Sequence, residues 1–180
     1  MHKNMKNTYH TDSGMLCIWD FEKFKHIHDY DSWDKELCED NDIIRNIKNN
    51  SFVPLNLGDG AFEVEIRINE ENLNEREKEY LLVPSLPYLL NSSGKVCISG
   101  LEHVSAELDE NIGVLELESG EYIVQINLID WNQEPGAIDE SGNPTDMALP
   151  DMIVLITKYS NKKIEFRTEV ETFRKEDALR

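Results

Sequence analysis

Two histidines and two aspartates lie close together in the stretch "HIHDYD", at His26, His28, Asp29 and Asp31. Imidazole and carboxylate groups are ligands that suit zinc or iron. If this stretch is extended, His26 and His28 point to the same face, because side chains alternate along a strand. We therefore consider His26, His28 and Asp31 as candidate metal ligands of a metal-dependent enzyme. The competing interpretation is a solvated turn that leads into a helix. The solvated-turn interpretation agrees with the lack of a second histidine motif downstream. We predict that the protein binds no cofactor.

A second possible reactive pair is Cys97 and His103, six residues apart in "CISGLEH". A thiol beside an imidazole can act as a nucleophile. Cys97, however, lies within an apolar run typical of a strand, where a cysteine is usually a small buried side chain. The sequence also contains no nucleophile elbow, phosphate-binding loop, dinucleotide fingerprint or zinc-protease motif. We therefore predict that the protein is not an enzyme.

The segment from Trp131 to Pro150, "WNQEPGAIDESGNPTDMALP", is rich in proline, glycine and acidic residues and contains no lysine or arginine. Loops of this length without structure of their own are usually functional or disordered. Aromatic and methionine anchors within a charged rim are typical of a protein-binding patch. The residues that we predict to bind a partner are Trp131, Glu134, Asp139, Glu140 and Asp146. In the alternative interpretation, Trp131 and Leu149 fold back and close one end of the domain.

The charge of the chain is strongly negative and unevenly distributed. Its 180 residues include 36 acidic and 18 basic ones, for a net charge of −18, and the 62 residues from 96 to 157 hold thirteen acids without a lysine or arginine. Such a chain repels the phosphates of nucleic acid, so we expect no nucleic-acid binding. An acidic face attracts a basic protein, for example a toxin or a nuclease, and speeds association with it. The alternative is a solvated acidic surface without a partner.

The elements that must position these residues are mostly strands. Period-2 alternation predicts strands in "GMLCIWDF", on both sides of Gly58-Asp59-Gly60 as a hairpin, around Ser119-Gly120, and in "KIEFRTEVETF" near the end. "DMIVLITKY" is almost continuously apolar, which predicts a central strand buried on both faces. One helix is expected from Ser32 to Lys48, with Ser32 or Asp31 as its N-cap. A short helix is expected between Glu70 and Tyr80.

This pattern predicts a mainly β (α+β) fold, an antiparallel β-sandwich or open barrel with one or two short helices packed at an end or face. The length fits a single domain over residues 1–180. We expect residues 1–13 and 174–180 to be frayed at the termini and residues 131–150 to form a long acidic loop.

The remaining features indicate a cytoplasmic protein. Its three cysteines, Cys17, Cys38 and Cys97, show neither disulfide nor zinc spacing, which suggests reduced thiols. The first residues lack the apolar core of a signal peptide, and no apolar run approaches the roughly 20 residues that span a membrane. We therefore expect no membrane partner.

Three stretches, "VPLNLGDGAFEVEI", "GEYIVQINLIDW" and "LPDMIVLIT", resemble segments of small β-rich bacterial proteins that neutralise nucleases or other toxins. These are the immunity proteins of polymorphic toxin systems and the competence-nuclease inhibitors. The resemblance covers about half of the chain, with an acidic loop between the last two stretches. It implies an inhibitor that plugs a basic active site with acidic side chains.

A β-sandwich with exposed aromatic rings also suits the binding of a carbohydrate or another small ligand. The three tryptophans, Trp19, Trp33 and Trp131, are the candidate stacking platforms for this third class of function.

Overall fold

The computed structural model describes residues 3–82, 85–161 and 163–172, which form strands and three short helices. The helices are α1 (Tyr30–Leu37), α2 (Asp40–Lys48) and α3 (Glu75–Glu79). The strands are β1 (Lys3–Thr11), β2 (Met15–Asp20), β3 (Phe52–Asn56), β4 (Gly60–Ile68), β5 (Tyr88–Ser92), β6 (Lys95–Gly100), β7 (Gly113–Glu116), β8 (Gly120–Leu128), β9 (Met152–Lys158) and β10 (Glu171–Thr172).

The strands form two sheets of five strands each. The first sheet has the order β1-β4-β9-β8-β5 and the second sheet the order β10-β3-β2-β6-β7. All pairs are antiparallel except β4 with β9 and β3 with β10, which are parallel. The sheets pack face to face as a sandwich, since one hydrophobic cluster contains residues of both. The predicted mainly β sandwich with short helices is confirmed.

The second sheet is covered on both faces. Every residue of β2 is buried, and α2 packs beside β3. Trp19 on β2 is fully buried, stacks edge-on against Phe24 at 5.7 Å and donates its indole N–H to the Ser99 hydroxyl at 3.1 Å. Because no ligand can reach this ring, Trp19 is not a stacking platform.

The strand β9 occupies the centre of the first sheet, as its apolar run predicts. Met152, Val154 and Ile156 point into the main core. Ile153 and Leu155 point to the opposite face, where they form a second cluster with Leu73, Ile129 and Leu149. The outer face of the first sheet is therefore covered by the segment before α3 and by the end of the long loop.

The expectation of a frayed N-terminus at residues 1–13 is wrong for most of that range. β1 pairs along its whole length with β4, from Lys3 opposite Ile68 to Thr11 opposite Gly60. Tyr9 and Thr11 are buried and Met5 packs partly buried against the main core, while Asn4, Lys6, Asn7, Thr8 and His10 are exposed. These three inward side chains fix the edge strand, although its composition is polar. The predicted fraying of residues 174–180 lies outside the described residues.

The single helix expected from Ser32 to Lys48 is two helices, α1 and α2, separated at Cys38 and Glu39. The N-cap of α1 is Asp29 rather than Ser32 or Asp31. Its carboxylate accepts the Ser32 amide at 2.9 Å, and the Ser32 hydroxyl accepts the Asp29 amide at 3.1 Å. This reciprocal pair is a capping box, which starts the helix earlier than the apolar periodicity suggests.

The hairpin predicted around Gly58-Asp59-Gly60 is also wrong, because β3 lies in the second sheet and β4 in the first. The turns after β1, β5 and β7 likewise carry the chain from one sheet to the other. Gly14 and Gly58 have positive φ angles of 75° and 89°, which glycine adopts without strain. The Gly14 carbonyl accepts the amides of Leu57 and Gly58, each at 2.9 Å, so two of these corners are tied together.

The strand predicted for "KIEFRTEVETF" is reduced to β10, two residues that pair with β3. The segment before β10 is held by bonds outside a ladder. The Arg167 amide donates to the Pro87 carbonyl, and the Tyr88 hydroxyl donates to the Glu169 carbonyl at 2.8 Å. The alternation of apolar and polar residues in this stretch thus corresponds to a half-buried extended segment that is mostly not paired with another strand. None of the helices in the described ranges is long and apolar enough to cross a bilayer.

Candidate partner-binding surfaces

The long loop between β8 and β9 folds into an ordered hairpin at residues 137–147, named here the loop hairpin. Its arms are joined by the Thr145 amide, which donates to Ala137, and by an antiparallel bridge between Ile138 and Pro144. At the tip, the Asp139 carboxylate accepts the amides of Ser141 at 2.8 Å and Asn143 at 2.9 Å. A carboxylate that binds amides two and four residues ahead stabilises a tight turn. Asp139 therefore shapes the tip.

Trp131 fixes the start of the long loop on the body of the protein. Its indole N–H donates to the Asp151 carboxylate at 2.8 Å, and the other oxygen of Asp151 accepts the Glu63 amide of β4 at 2.8 Å. The Trp131 ring packs against the second cluster, in which Leu149 is buried. These contacts agree with the fold-back interpretation for Trp131 and Leu149, so both residues anchor the loop.

Glu134 is neutralised by a cation from another element. The Arg76 guanidinium on α3 donates to both Glu134 carboxylate oxygens, at 2.5 and 2.7 Å, and to the Met147 carbonyl at 2.5 Å. The Arg76 guanidinium holds the pKa of Glu134 below its ordinary value, despite some desolvation. Glu134 therefore contributes to holding the loop in place, and little of its charge is offered to a partner.

The side chains that the loop hairpin presents to solvent are a subset of the predicted ones, together with two apolar residues. Glu140 and Asp146 are exposed. Met147 is 68% exposed and Ile138 is 40% exposed. Among the five residues predicted to bind a partner, Trp131 and Glu134 thus act as anchors, Asp139 as a turn former, and Glu140 and Asp146 as displayed charges.

A polar cavity of about 460 Å³ lies between the loop hairpin and the outer side of β1 and β4. Three carboxylates line it, those of Glu63, Asp146 and Asp151, against one ammonium group, that of Lys6. Lys6 pairs with Glu63 at 2.8 Å. The cavity therefore keeps a negative balance that extends the acidic surface of the loop hairpin.

The cation-free segment 96–157 does not form a single face. It supplies β6 and β7 to the second sheet and β8 and β9 to the first. Cations from outside the segment also meet some of its acids, as Arg76 meets Glu134 and Lys158 meets Glu118 at 3.5 Å. The acidic residues of this segment therefore form separate local patches, and a basic partner would bind one patch and not one continuous acidic face.

The candidate metal ligands are not brought together. His26 lies 3.4 Å from Glu36, the His28 backbone amide donates to Ser32, and Asp31 lies in the first turn of α1. Across the described ranges, no group of three or more histidine, cysteine and acidic side chains is arranged to hold a metal.

The proposed thiol–imidazole pair is not set up for catalysis. Cys97 is fully buried, and that burial raises the pKa of its thiol to about 12. A nucleophilic cysteine needs the opposite shift, since the thiolate is the reactive form.

A second surface feature escaped sequence reasoning, because its parts are distant in the chain. Trp33, predicted only as a stacking platform, lies in a mainly apolar groove of about 300 Å³, named here the aromatic groove. Part of its lining comes from the start of α1 and includes Tyr30. The rest comes from the turn after β6, distant in the sequence, and includes Val104. Tyr30 is 71% exposed, although it is a large aromatic residue. The exposed tyrosine beside a tryptophan, "YDSW", is the local signal that could have indicated this groove.

Comparison with protein families matches residues 1–134 to a family of unknown function, DUF6386. The chain belongs to this family. The matched residues include the aromatic groove and the anchors Trp131 and Glu134, whereas Glu140 and Asp146 lie beyond them. A search of curated proteins finds no match to this chain.

Two solved structures share the fold. One, described as crocagin biosynthetic gene J, is 16% identical, with 89% of this chain and 98% of that chain covered and a TM-score of 0.52. The other is ComJ from Bacillus subtilis, an inhibitor of the DNA-degrading activity of NucA. It is 8% identical, with 88% and 99% covered and a TM-score of 0.50. The resemblance to immunity and nuclease-inhibitor proteins is thus confirmed at the level of the fold.

Proposed function

We propose that this protein is a non-enzymatic, inhibitor-type binding module that captures a basic protein through the loop hairpin. The observation that carries the proposal is the hairpin itself, an ordered projection that presents Glu140, Asp146 and Met147 to solvent. Internal hydrogen bonds, the Trp131–Asp151 contact and the Arg76–Glu134 pair hold its shape before any partner arrives.

Preorganisation matters because binding otherwise has to order a flexible loop. Each rotamer-rich side chain that is immobilised on binding costs about 0.5–1.5 kcal/mol. A loop that is already folded adds no cost for ordering its backbone, so the hairpin needs only to desolvate and immobilise its displayed side chains. Met147 supplies flexible apolar contact area that adapts to a partner surface.

The charge of the hairpin region determines what it attracts. Glu140 and Asp146 add to a molecule with a net charge of −18 and to a cavity that keeps a carboxylate excess. Such a field raises the encounter rate with a cationic protein and disfavours acidic competitors. Nucleases carry basic substrate sites, because their substrate is a polyanion.

The fold supports the same class of partner. ComJ, which covers nearly the same length, is an inhibitor of a DNA-degrading activity. We propose that this chain inhibits a nuclease or a toxin with a basic active site, in the cytoplasm of a bacterium. Its thiols are free, as a reducing compartment would keep them.

The test is co-purification with, and inhibition of, basic nucleases and toxins, beginning with the products of the genes that neighbour this one. The double variant Glu140→Gln/Asp146→Asn and the variant Met147→Ser should each weaken inhibition at least tenfold. The matched control is Glu116→Gln/Glu121→Gln, which removes the same charge from exposed positions on β7 and β8 within the same cation-free segment. Inhibition that falls equally in the control, or in none of the variants, would contradict a binding role for the loop hairpin.

A further inference from the structure

The aromatic groove has a geometry that is independent of the loop hairpin. The Trp33 indole N–H donates to the Leu101 carbonyl at 3.0 Å, which fixes the ring across the two walls of the groove. Tyr30 stacks on Trp33 with ring centroids 6.2 Å apart and planes 23° apart. The Ala106 amide donates to the Ile27 carbonyl at 2.8 Å and joins the walls at their base. The groove is therefore a built feature with an exposed aromatic face.

Two acidic residues, Asp29 and Glu102, line the groove together with these rings, and both stay ionised. Hydrogen bonds from the Ser32 hydroxyl and amide lower the pKa of Asp29. Burial of Glu102 opposes its charge. Hydrogen bonds from Ser13 and from the Asp12 amide outweigh that effect, so the pKa of Glu102 lies below its ordinary value. No lysine or arginine is among the described residues that line the groove.

The groove is not suited to an anion, although it lies at the start of a helix. The Ser32 amide of the first turn is already engaged by the Asp29 carboxylate in the capping box, and that carboxylate would repel an anion at this helix start. Glu102 adds a second negative charge. Aromatic faces with adjacent carboxylates instead match a planar cation, because the ring face carries negative potential and a carboxylate accepts paired N–H donors.

We propose that the aromatic groove binds an arginine side chain presented by a partner protein. The guanidinium lies over the exposed Tyr30 ring and donates to the carboxylates of Asp29 and Glu102, while the aliphatic stem lies against the partly exposed Trp33 ring. Arginine fits this description better than lysine, because its plane stacks on aromatic rings and its fork of donors matches a carboxylate.

This site does not depend on the proposed function. The aromatic groove and the loop hairpin share no residue. A small arginine probe tests the groove without any partner protein. If the loop hairpin proves to bind nothing, the groove can still bind arginine, and the reverse also holds.

The experiment is an NMR titration of the full chain at pH 7.5 with N-acetyl-arginine amide, followed through the three tryptophan indole N–H signals. The matched probe is N-acetyl-citrulline amide, which keeps the shape and loses the charge. We expect a saturable shift of the Trp33 signal and none of the buried Trp19 signal. Citrulline should bind about fivefold or more weakly, the scale of a cation–π contact.

The Tyr30→Ala variant should weaken arginine binding about fivefold without unfolding the protein, because Tyr30 is mostly exposed. Leu86→Ala, at another exposed apolar position, is the control and should leave binding unchanged. Equal binding of citrulline, an unmoved Trp33 signal, or unaltered binding in Tyr30→Ala would each overturn the proposal. A shift of Trp131 in place of Trp33 would overturn it as well, by assigning the cation to the loop hairpin.

Discussion

Arg76 and Glu134 lie 58 residues apart in the chain, yet they form a bidentate ion pair with N–O distances of 2.5 and 2.7 Å. The same guanidinium donates to the Met147 carbonyl. One side chain of α3 thus ties the residue Glu134, which precedes the loop hairpin, to Met147 at the hairpin's end. The position of the displayed acids depends on a cation outside the segment that carries them.

Replacement of Arg76 by glutamine should loosen the loop hairpin without unfolding the protein. The pair is partly exposed, with 44% of the Arg76 side chain accessible, so its loss should change the free energy of unfolding by less than about 1 kcal/mol. Hydrogen exchange should become faster at the amides of Ala137, Thr145 and Ala148, which close the loop. Lys78→Gln is the control, because it removes a cation from the same helix that pairs with Glu75 within that helix. Identical exchange in wild type and Arg76→Gln would show that the ion pair does not hold the hairpin.

A second prediction concerns Glu77, whose side chain is only 2% exposed. The Arg67 guanidinium donates to both of its oxygens, at 2.6 and 3.1 Å, and the Asn74 amide donates to one of them at 2.8 Å. Burial opposes the charge of Glu77. The Arg67 and Asn74 hydrogen bonds outweigh this, so the pKa of Glu77 lies below its ordinary value. Glu77→Gln should therefore lower the free energy of unfolding at pH 7 by about 3 kcal/mol.

The stabilisation by Glu77 should depend on pH in a defined direction. An acid with a lowered pKa in the folded state stabilises the protein above its unfolded pKa, about 4.3, and loses that contribution as the pH falls through the folded pKa. Urea unfolding of wild type and Glu77→Gln should therefore differ most near pH 7, and the difference should shrink progressively as the pH falls below the unfolded pKa of about 4.3. Glu75→Gln, whose side chain is 92% exposed, should change little at any pH. A Glu77→Gln difference that stays constant from pH 7 to pH 3 would contradict this account of the buried pair.

The three cysteines should react at different rates with a thiol reagent. Cys38 is exposed, while Cys17 and Cys97 are fully buried and have raised thiol pKa values because of that burial. One thiol should react quickly in the native protein, and two more only after unfolding. Cys38→Ser should abolish the fast phase. A hydrogen bond with Asp34 raises the pKa of Cys38, so the fast phase should become faster as the pH rises. Rapid reaction of two or three thiols in native protein would contradict the buried positions.

The sequence predicted the strands whose side chains alternate or are continuously apolar, because burial dictates that pattern directly. β9 is the clearest case, with Ile153 and Leu155 facing one way and Val154 and Ile156 the other. The class of fold follows from such strands and from the short turns between them.

The sequence could not predict which sheet each strand joins. A glycine turn such as Gly58-Asp59-Gly60 specifies a reversal of the chain, and a hairpin and a corner between two packed sheets both need one. The edge strand β1 was missed because only one of its faces meets the core. Tyr9 and Thr11 then appear as isolated signals in a polar stretch.

Part of the candidate site could be read from the sequence, because an acidic loop with apolar residues has a recognisable composition. The sequence could not show which residues of this loop anchor it and which are exposed to a partner, because these roles depend on contacts with residues distant in the chain. Nothing near Glu134 indicates that Arg76 neutralises it, and nothing near Tyr30 indicates that Glu102 lies across the same groove.

The most direct test of the central claim is the ionic-strength dependence of association with the cationic partner, measured by stopped flow. We predict that the association rate constant of the wild-type protein falls about tenfold or more between 50 and 500 mM salt. Glu140→Gln/Asp146→Asn should lower the rate at low salt and flatten this dependence, while Glu116→Gln/Glu121→Gln should do so less. A rate constant that ignores salt and is unchanged by the loss of Glu140 and Asp146 would contradict capture by the loop hairpin.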